Sequence, residues 1–148
     1  MGVDTIAPPS IPRNTTLGGE AIGELSALIE RAQTVLGHPI EVISGREEAR
    51  LIFAGVARLQ PSSVPRLVID IGGRSTEMIL GQGRQISCAE SYGVGSVSLS
   101  RRYFADGRYS AAAFAAAQVA AAAEFEEARE LFTPSMWSQA LGSSGTAG

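Results

Sequence analysis

The spacing of apolar residues along this chain shifts between helical and strand periods, and the shifts mark its elements. From about Gly18 to Leu36, residues Ile22, Leu25, Leu28, Ile29, Ala32, Val35 and Leu36 recur at helical spacing. That spacing predicts an amphipathic helix, with Gly37 and Pro39 as its stop signals. The short apolar run Ile40 to Ile43 predicts a strand. Ser44-Gly45-Arg46-Glu47 has the Ser-x-x-Glu form of a capping box, which opens a second helix to about Gln60, where Pro61 ends it. After a linker from Pro61 to Pro65, three strands are predicted: Arg66 to Ile71, Ser75 to Gly81 and Gln85 to Tyr92. Their turns fall at Gly72-Gly73 and Gly81-Gln82-Gly83. Gly93-Val94-Gly95-Ser96 opens a third helix through about Tyr103, with Val94, Val97, Leu99 and Phe104 as candidate buried positions. Residues 110 to 132 predict the longest helix, rich in alanine and capped by Ser110, with Phe114, Val119, Phe125 and Leu131 supplying the bulk of one packed side. Pro134 stops it. Trp137 to Leu141 predicts a last strand, followed by the small-residue turn Gly142 to Thr146.

Strand, strand, strand, helix, long helix, strand is the order of a ribonuclease-H-like half-domain, an α/β unit with a mixed sheet in which ligands gather where strands end and glycine turns begin. Pro8, Pro9 and Pro12 fall in a stretch without apolar period, so residues 1–17 read as a flexible leader. Residues 18–61 then read as the end of a preceding α/β domain, and 62–148 as the half-domain, truncated at its end. A length of 148 residues suits one domain or adjoining parts of two, and 45% hydrophobic residues suffice for a core. A formal charge of -3, with no basic cluster longer than Arg101-Arg102, argues against nucleic acid as a partner. Cys88 is the single cysteine, so no intrachain disulfide can form. No apolar stretch approaches the roughly 20 residues of a membrane span, and the start lacks a signal-peptide pattern. A soluble, cytoplasmic protein with no membrane partner is expected.

The candidate chemistry lies at Asp70-Ile71-Gly72-Gly73-Arg74-Ser75-Thr76-Glu77. The strand brings Asp70 to its end, and Gly72 and Gly73 let the backbone turn and aim N–H groups at an anion. Ser75 and Thr76 add hydroxyls, and Glu77 adds a second carboxylate. Paired glycines near an Asp are also ordinary hairpin chemistry. Asp70 tips the balance, because a strand with a purely structural role rarely buries an unpaired carboxylate between two isoleucines. Gly142-Ser143-Ser144-Gly145-Thr146 is equally readable as a polar tail, and gains weight only as a second glycine turn at a strand end. His38, Tyr92, Tyr103 and Trp137 are read as cap or core.

Three segments in order and spacing carry a resemblance: Val42 to Ile52 (VISGREEARLI), Val68 to Glu77 (VIDIGGRSTE) and Gly142 to Thr146. The chain from about Ala21 onward resembles the exopolyphosphatase and guanosine pentaphosphate phosphohydrolase family, within the sugar kinase, heat-shock chaperone and actin superfamily. The resemblance implies an actin-like ATPase fold and hydrolysis of a terminal phosphoryl group from inorganic polyphosphate or guanosine pentaphosphate, with Mg2+. Full-length members are implied to be homodimers. Glu48 matches the general base that activates water; Gly72, Gly73 and Ser75 match the second phosphate loop; Asp70 and Glu77 match carboxylates associated with the metal and the water; Gly142, Ser143, Ser144, Gly145 and Thr146 match the turn that faces a nucleotide in superfamily relatives, and so are candidate phosphate-binding residues. Taken alone, Glu48 is a first-turn glutamate complementing the helix dipole. It lies about 100° around the helix from Glu47, so capping by Glu47 leaves it pointing elsewhere. Arg74 stands where the family has a third glycine: at φ > 0 it would be strained, yet its guanidinium could grip phosphate. The family's first phosphate loop belongs to roughly a hundred preceding residues, the size of an ordinary domain. The expectation is therefore a central fragment, either of the hydrolase or of a non-catalytic phosphate or nucleotide binder. A sugar kinase ranks behind both, since nothing supplies a sugar site.

Overall fold

Three consecutive strands, β1 (Pro65–Ile71), β2 (Thr76–Gln82) and β3 (Gln85–Tyr92), form an antiparallel meander, and β4 (Gln139–Ser143) joins the far side of β1 in parallel. The resulting order is β3-β2-β1-β4. This computed structural model describes residues 19–147, so the expected leader over 1–17 lies outside the described residues. The chain divides between Val42 and Ile43 into two units.

The first unit contains α1 (Gly19–Leu36), which ends as expected at Gly37, where φ is +70° and the N–H closes on the Gln33 carbonyl at 2.9 Å. The run Ile40 to Ile43 is not a strand. The Ile40 N–H is taken by Gln33 Oε1 at 2.8 Å, and among the described residues no strand pairs with the run. A strand needs a neighbour to satisfy its backbone, and β-rich composition alone does not supply one.

The second unit carries the sheet. Helix α2 (Gly45–Leu59) begins at Ser44, whose Oγ accepts the Glu47 N–H at 3.3 Å, half of the capping box; the Glu47 carboxylate turns instead to Arg50 at 3.7 Å. Its apolar residues at four-residue spacing, Ala49, Phe53 and Ala57, bury against Val68 and Ile79 on one face of the sheet. Gly81 lies directly beneath the Phe53 ring, at a bulge between Leu80 and Gly81. It belongs to β2, so the second turn sits later than expected, at Gly83-Arg84 with Gly83 at φ +60°. Arg66 is only 1% exposed: its guanidinium lies over the Phe53 ring and its Nη1 donates to the Gln60 carbonyl at the end of α2, at 2.6 Å.

The opposite face is covered by the chain returning toward β4. Helix α3 (Ser96–Tyr103) follows β3, and the predicted long helix over 110–132 is two, α4 (Ala111–Glu124) and α5 (Ala128–Leu131). The break falls among Glu124, Glu126 and Glu127, where like charge crowds the negative end of α4. It lets Phe125 meet Tyr92 edge-on at 5.3 Å, while Ala128 and Phe132 pack with Leu67 and Leu80. Of the bulky residues expected to form the packed side over 110–132, Phe125 and Leu131 pack against this core, but the two within α4 do not. Phe114 and Val119 are 49% and 64% exposed, and the buried residues of α4 are Ala117 and Ala120. Val97 of α3 is likewise exposed, whereas Val94 is buried. Strand β4 starts two residues later than predicted and takes in Gly142 and Ser143. Trp137 and Tyr92 join the core of this face, as their reading as core residues expects. Burial pushes the Tyr92 phenol up to about 12, with Glu90 and Glu127 adding to it, so it stays protonated at any working pH.

Candidate functional site

Strand pairing sets four polar side chains in one row. Asp70 on β1 stands opposite Glu77 on β2 and Ser143 on β4, and Glu77 stands opposite Ser91 on β3. Directly opposed residues project to the same face, with Cβ atoms about 4.5–5.5 Å apart in an antiparallel pair. The face is the one covered by α2, because Val68, Ile79 and Leu141 precede or follow these residues by two and pack against that helix. Glu77 is 1% exposed and Asp70 is half-buried. Among the described residues the ion pairs join Arg46 to Glu90 and Arg50 to Glu47, and neither reaches Asp70 or Glu77. Two opposed carboxylates repel, and burying one of them adds to the cost unless a cation is bound between them.

The loop joining β1 to β2 is held by its carbonyls. Gly72 C=O accepts the N–H of Ser96 at 3.0 Å, and Gly73 C=O accepts those of Val97 and Ser98 at 2.9 and 3.0 Å. The Ser96 and Ser98 hydroxyls reinforce the same two carbonyls. The first turn of α3 is thereby capped by the loop. Every peptide among the described residues is trans, and in a trans unit the N–H points opposite to the C=O, so the Gly73 and Arg74 N–H groups face away from α3. Among the described residues neither they nor the Ser75 N–H have a partner. A run of free backbone N–H groups is the form of an anion nest.

Arg74 has no positive φ, so the strain anticipated for an arginine in place of the third glycine is absent. Gly72 and Gly73 also lie outside the left-handed region, and at Gly73 a Cβ would meet Val97 Cγ2 at 3.3 Å. The glycine the loop cannot do without is Gly95, which the motif reading passed over as a helix start. A Cβ at Gly95 would land on Arg74 N and within 2.5 Å of the carbonyl carbons of Gly73 and Arg74. Gly95→Ala is expected to lower the unfolding free energy by about 1–3 kcal/mol, as overpacking does. A urea titration measures it, and an unchanged midpoint would mean the loop is free to move.

Thr76 does not serve as a free hydroxyl donor. It is buried and donates to the Val94 carbonyl at 2.6 Å, fastening the base of the loop to the approach to α3. The second turn is tied to the first: Ser144, at φ +70°, donates its Oγ–H to the Ile71 carbonyl at 2.9 Å, next to Gly72. Gly142 lies under Ala147, whose Cβ would be 2.8 Å from one added to the glycine. Gly145 and Thr146 are exposed in the turn, and Glu48 is exposed on the first turn of α2. Pairing and packing therefore bring Asp70, Glu77, Ser143 and the Gly72–Ser75 loop to one end of the sheet, with Ser144 beside them.

Ser91 was missed by motif reading, because its part depends on the pairing of β2 with β3 and on nothing local. A largely apolar cavity of about 520 Å3, lined by Ile69, Ile71, Met78, Phe125 and Phe132, sits on the face opposite the polar row. Its polar neighbours are Thr76, already bonded, and Arg129, so the opposed carboxylates and the unpartnered loop amides lie at the row and not in the cavity.

Among the described residues no group of three or more His, Cys, Asp or Glu could hold a metal. The donors that are present, two carboxylates flanked by serine hydroxyls, suit Mg2+, which takes one or two carboxylates and completes its shell with water and phosphate oxygens. No described helix is long and apolar enough to cross a membrane.

Comparison with known proteins agrees with this architecture. Residues 26–148 match the Ppx/GppA phosphatase family. The chain is 42% identical over 118 residues to a guanosine-5'-triphosphate,3'-diphosphate pyrophosphatase of Photobacterium profundum, a match covering 80% of this chain and 24% of that protein. Among solved structures it is similar to an exopolyphosphatase-like protein, with TM-score 0.76 and 27% identity over 83% of this chain and 40% of that one. It is also similar to an exopolyphosphatase from Cytophaga hutchinsonii, with TM-score 0.60 and 28% identity over 82% of this chain and 39% of that one. A Ppx/GppA family member from Aquifex aeolicus gives TM-score 0.65 at 25% identity, over 86% and 41%. The chain thus spans well under half the length of these relatives. With the order β3-β2-β1-β4, the glycine loop after β1 and a match over nearly all its described length, the chain belongs to the Ppx/GppA phosphatase family and has its ribonuclease-H-like, actin-like ATPase fold.

Proposed function

We propose that this chain forms one wall of a phosphohydrolase cleft that removes the terminal phosphoryl group from inorganic polyphosphate or guanosine pentaphosphate, in the cytoplasm. One observation carries the reading: Asp70 and Glu77 stand opposed and without a cationic partner among the described residues, beside a loop whose N–H groups at Gly73, Arg74 and Ser75 are free. Free amides recognise phosphate oxygens, and a carboxylate pair recognises the cation that accompanies them. The names borne by the relatives supply the two substrates.

In this reading the Gly72–Ser75 loop and the Gly142–Thr146 turn bind phosphate oxygens, with the Arg74 guanidinium available from the loop. Asp70 and Glu77 would hold Mg2+, whose charge offsets that of the phosphoryl oxygens. Glu48 accepts a proton from the attacking water as its oxygen bonds to the terminal phosphorus. The bridging P–O bond breaks, the electron pair leaves with the shortened chain, and orthophosphate is released. Such a transfer needs positioning and electrostatic stabilisation more than covalent help, and backbone donors meet that need.

The test is phosphate release from tripolyphosphate and from guanosine pentaphosphate in the presence of Mg2+, run beside calorimetric titration with the same compounds. Release with binding is the expected result for a cleft that is catalytically complete. Binding without release would identify a non-catalytic phosphate binder of the same fold, and no binding would overturn the anion-site reading altogether.

A further inference from the structure

A carboxylate as deeply buried as Glu77 needs a donor or a cation at each oxygen, and the neighbour that satisfies one oxygen decides where the other points. Ser91, directly opposite on β3, donates its Oγ–H to Glu77 Oε1 at 2.8 Å. The serine is itself held from above. A Cβ at Gly45 would lie 2.5 Å from Ser91 Oγ and 2.6 Å from Ser91 Cβ, so the first residue of α2 closes over this side chain. Arg46, the next residue, grips Glu90 with Nε to Oε2 at 3.0 Å and Nη2 to Oε1 at 2.8 Å. Successive residues of α2 are thus fastened to successive residues of β3, and Ser91 is the point where helix, strand and buried carboxylate meet.

We propose that Ser91 is a positioning residue: it commits one oxygen of Glu77 and so leaves the other, together with Asp70, as the ligand pair for a divalent cation. A serine hydroxyl has one proton to give, and it is given to Oε1. Without it that oxygen is left buried and unpartnered, and the carboxylate turns toward whatever donor remains. The inference rests on the assignment of the cation to Asp70 and Glu77 made above.

Mn2+ titration of the purified chain, followed by electron paramagnetic resonance of the free ion, tests it without recourse to activity. Removing a hydrogen-bond partner of a ligating group weakens metal binding by about 10- to 100-fold, and that loss is expected for Ser91→Ala. Ser91→Thr, which keeps the hydroxyl, is expected to restore most of the affinity. Gly45→Ala leaves Ser91 in the sequence but displaces it, and is expected to weaken Mn2+ binding as well; it gives the answer independently should Ser91→Ala fail to fold. Urea unfolding of each variant separates a lost ligand from a lost fold. Glu77→Gln separates the two layers of the argument. If Glu77→Gln weakens binding while folded Ser91→Ala and Gly45→Ala bind Mn2+ as the parent does, the cation assignment stands and the role given to Ser91 is overturned. If the parent and Glu77→Gln bind equally or not at all, the cation assignment falls and takes this inference with it.

Discussion

Glu48→Gln is expected to lower phosphate release by about 10²- to 10⁴-fold, the usual worth of a positioned general base, while leaving tripolyphosphate binding near the parent value. The substitution keeps the shape and hydrogen-bonding capacity of the side chain and removes only its ability to take a proton. Binding is expected to be spared because the proposed phosphate donors are backbone N–H groups of the Gly72–Ser75 loop, and no described hydrogen bond of that loop involves Glu48. The natural control is the preceding residue. Glu47 shares the acidic first turn of α2, but its N–H is spent on Ser44 and its carboxylate faces Arg50. Glu47→Gln is therefore expected to keep its turnover. The comparison is made in this chain and at the matching position of a full-length family member, by steady-state phosphate release at saturating Mg2+. Equal losses for the two variants would point to helix-dipole or cap effects, which both residues share. An unchanged rate for Glu48→Gln in the full-length enzyme would remove the base from this helix.

Local chemistry was legible in the sequence wherever one residue type settles a backbone question. Ser44 and Glu47 announced the start of α2, Gly37 the end of α1, and the Gly72-Gly73 turn the end of β1. Asp70 singled out the strand end as a candidate, because a carboxylate between isoleucines is costly to bury, and it stands half-buried opposite Glu77. What escaped was whatever long-range pairing or packing decides. Ser91 is an ordinary strand serine until β3 is laid against β2 opposite Glu77. Gly95 is a helix-start glycine until the loop after β1 is laid across it. The alanines of α4 and α5 look like propensity alone, yet Ala117 and Ala120 of α4 and Ala128 of α5 are the buried residues, and small side chains there let the returning chain lie close. The run at Ile40 to Ile43 shows the reverse error, a strand-like composition with no strand beside it. The Gly72–Ser75 loop divides the same way: its glycines were visible, but that its carbonyls cap α3 and so turn its N–H groups outward follows only from the tertiary contact.

Phe53→Ala is expected to cost about 3–5 kcal/mol of unfolding free energy, the largest stability effect of any substitution considered, against a total of about 5–15 kcal/mol for an ordinary domain. Phe53 is fully buried, seated among Ala49, Ala57, Val68 and Ile79, and its ring also carries the buried Arg66 guanidinium 5.6 Å from its centroid. Truncation opens a cavity under α2 and leaves Arg66, whose Nε and Nη2 already lack partners, without its aromatic cover. The helix that loosens is the one whose Gly45 closes over Ser91, so weaker Mn2+ binding is expected to accompany the lost stability. Gly81 supplies an internal check. A Cβ on Gly81 would run into Phe53 Cζ, lie 2.9 Å from Cε1 and 2.5 Å from the Gln85 carbonyl. Gly81→Ala alone is thus expected to destabilise, and to do so less in the Phe53→Ala background, where the ring is gone and only the carbonyl resists. The coupling between the two changes, read from urea titrations of both single variants and the double, is expected at about 0.5–3 kcal/mol in favour of the double. Strict additivity, or a loss below about 1 kcal/mol for Phe53→Ala, would mean that α2 is not seated on this face of the sheet, and the approach of its first turn to Ser91 and Glu77 would lose its support.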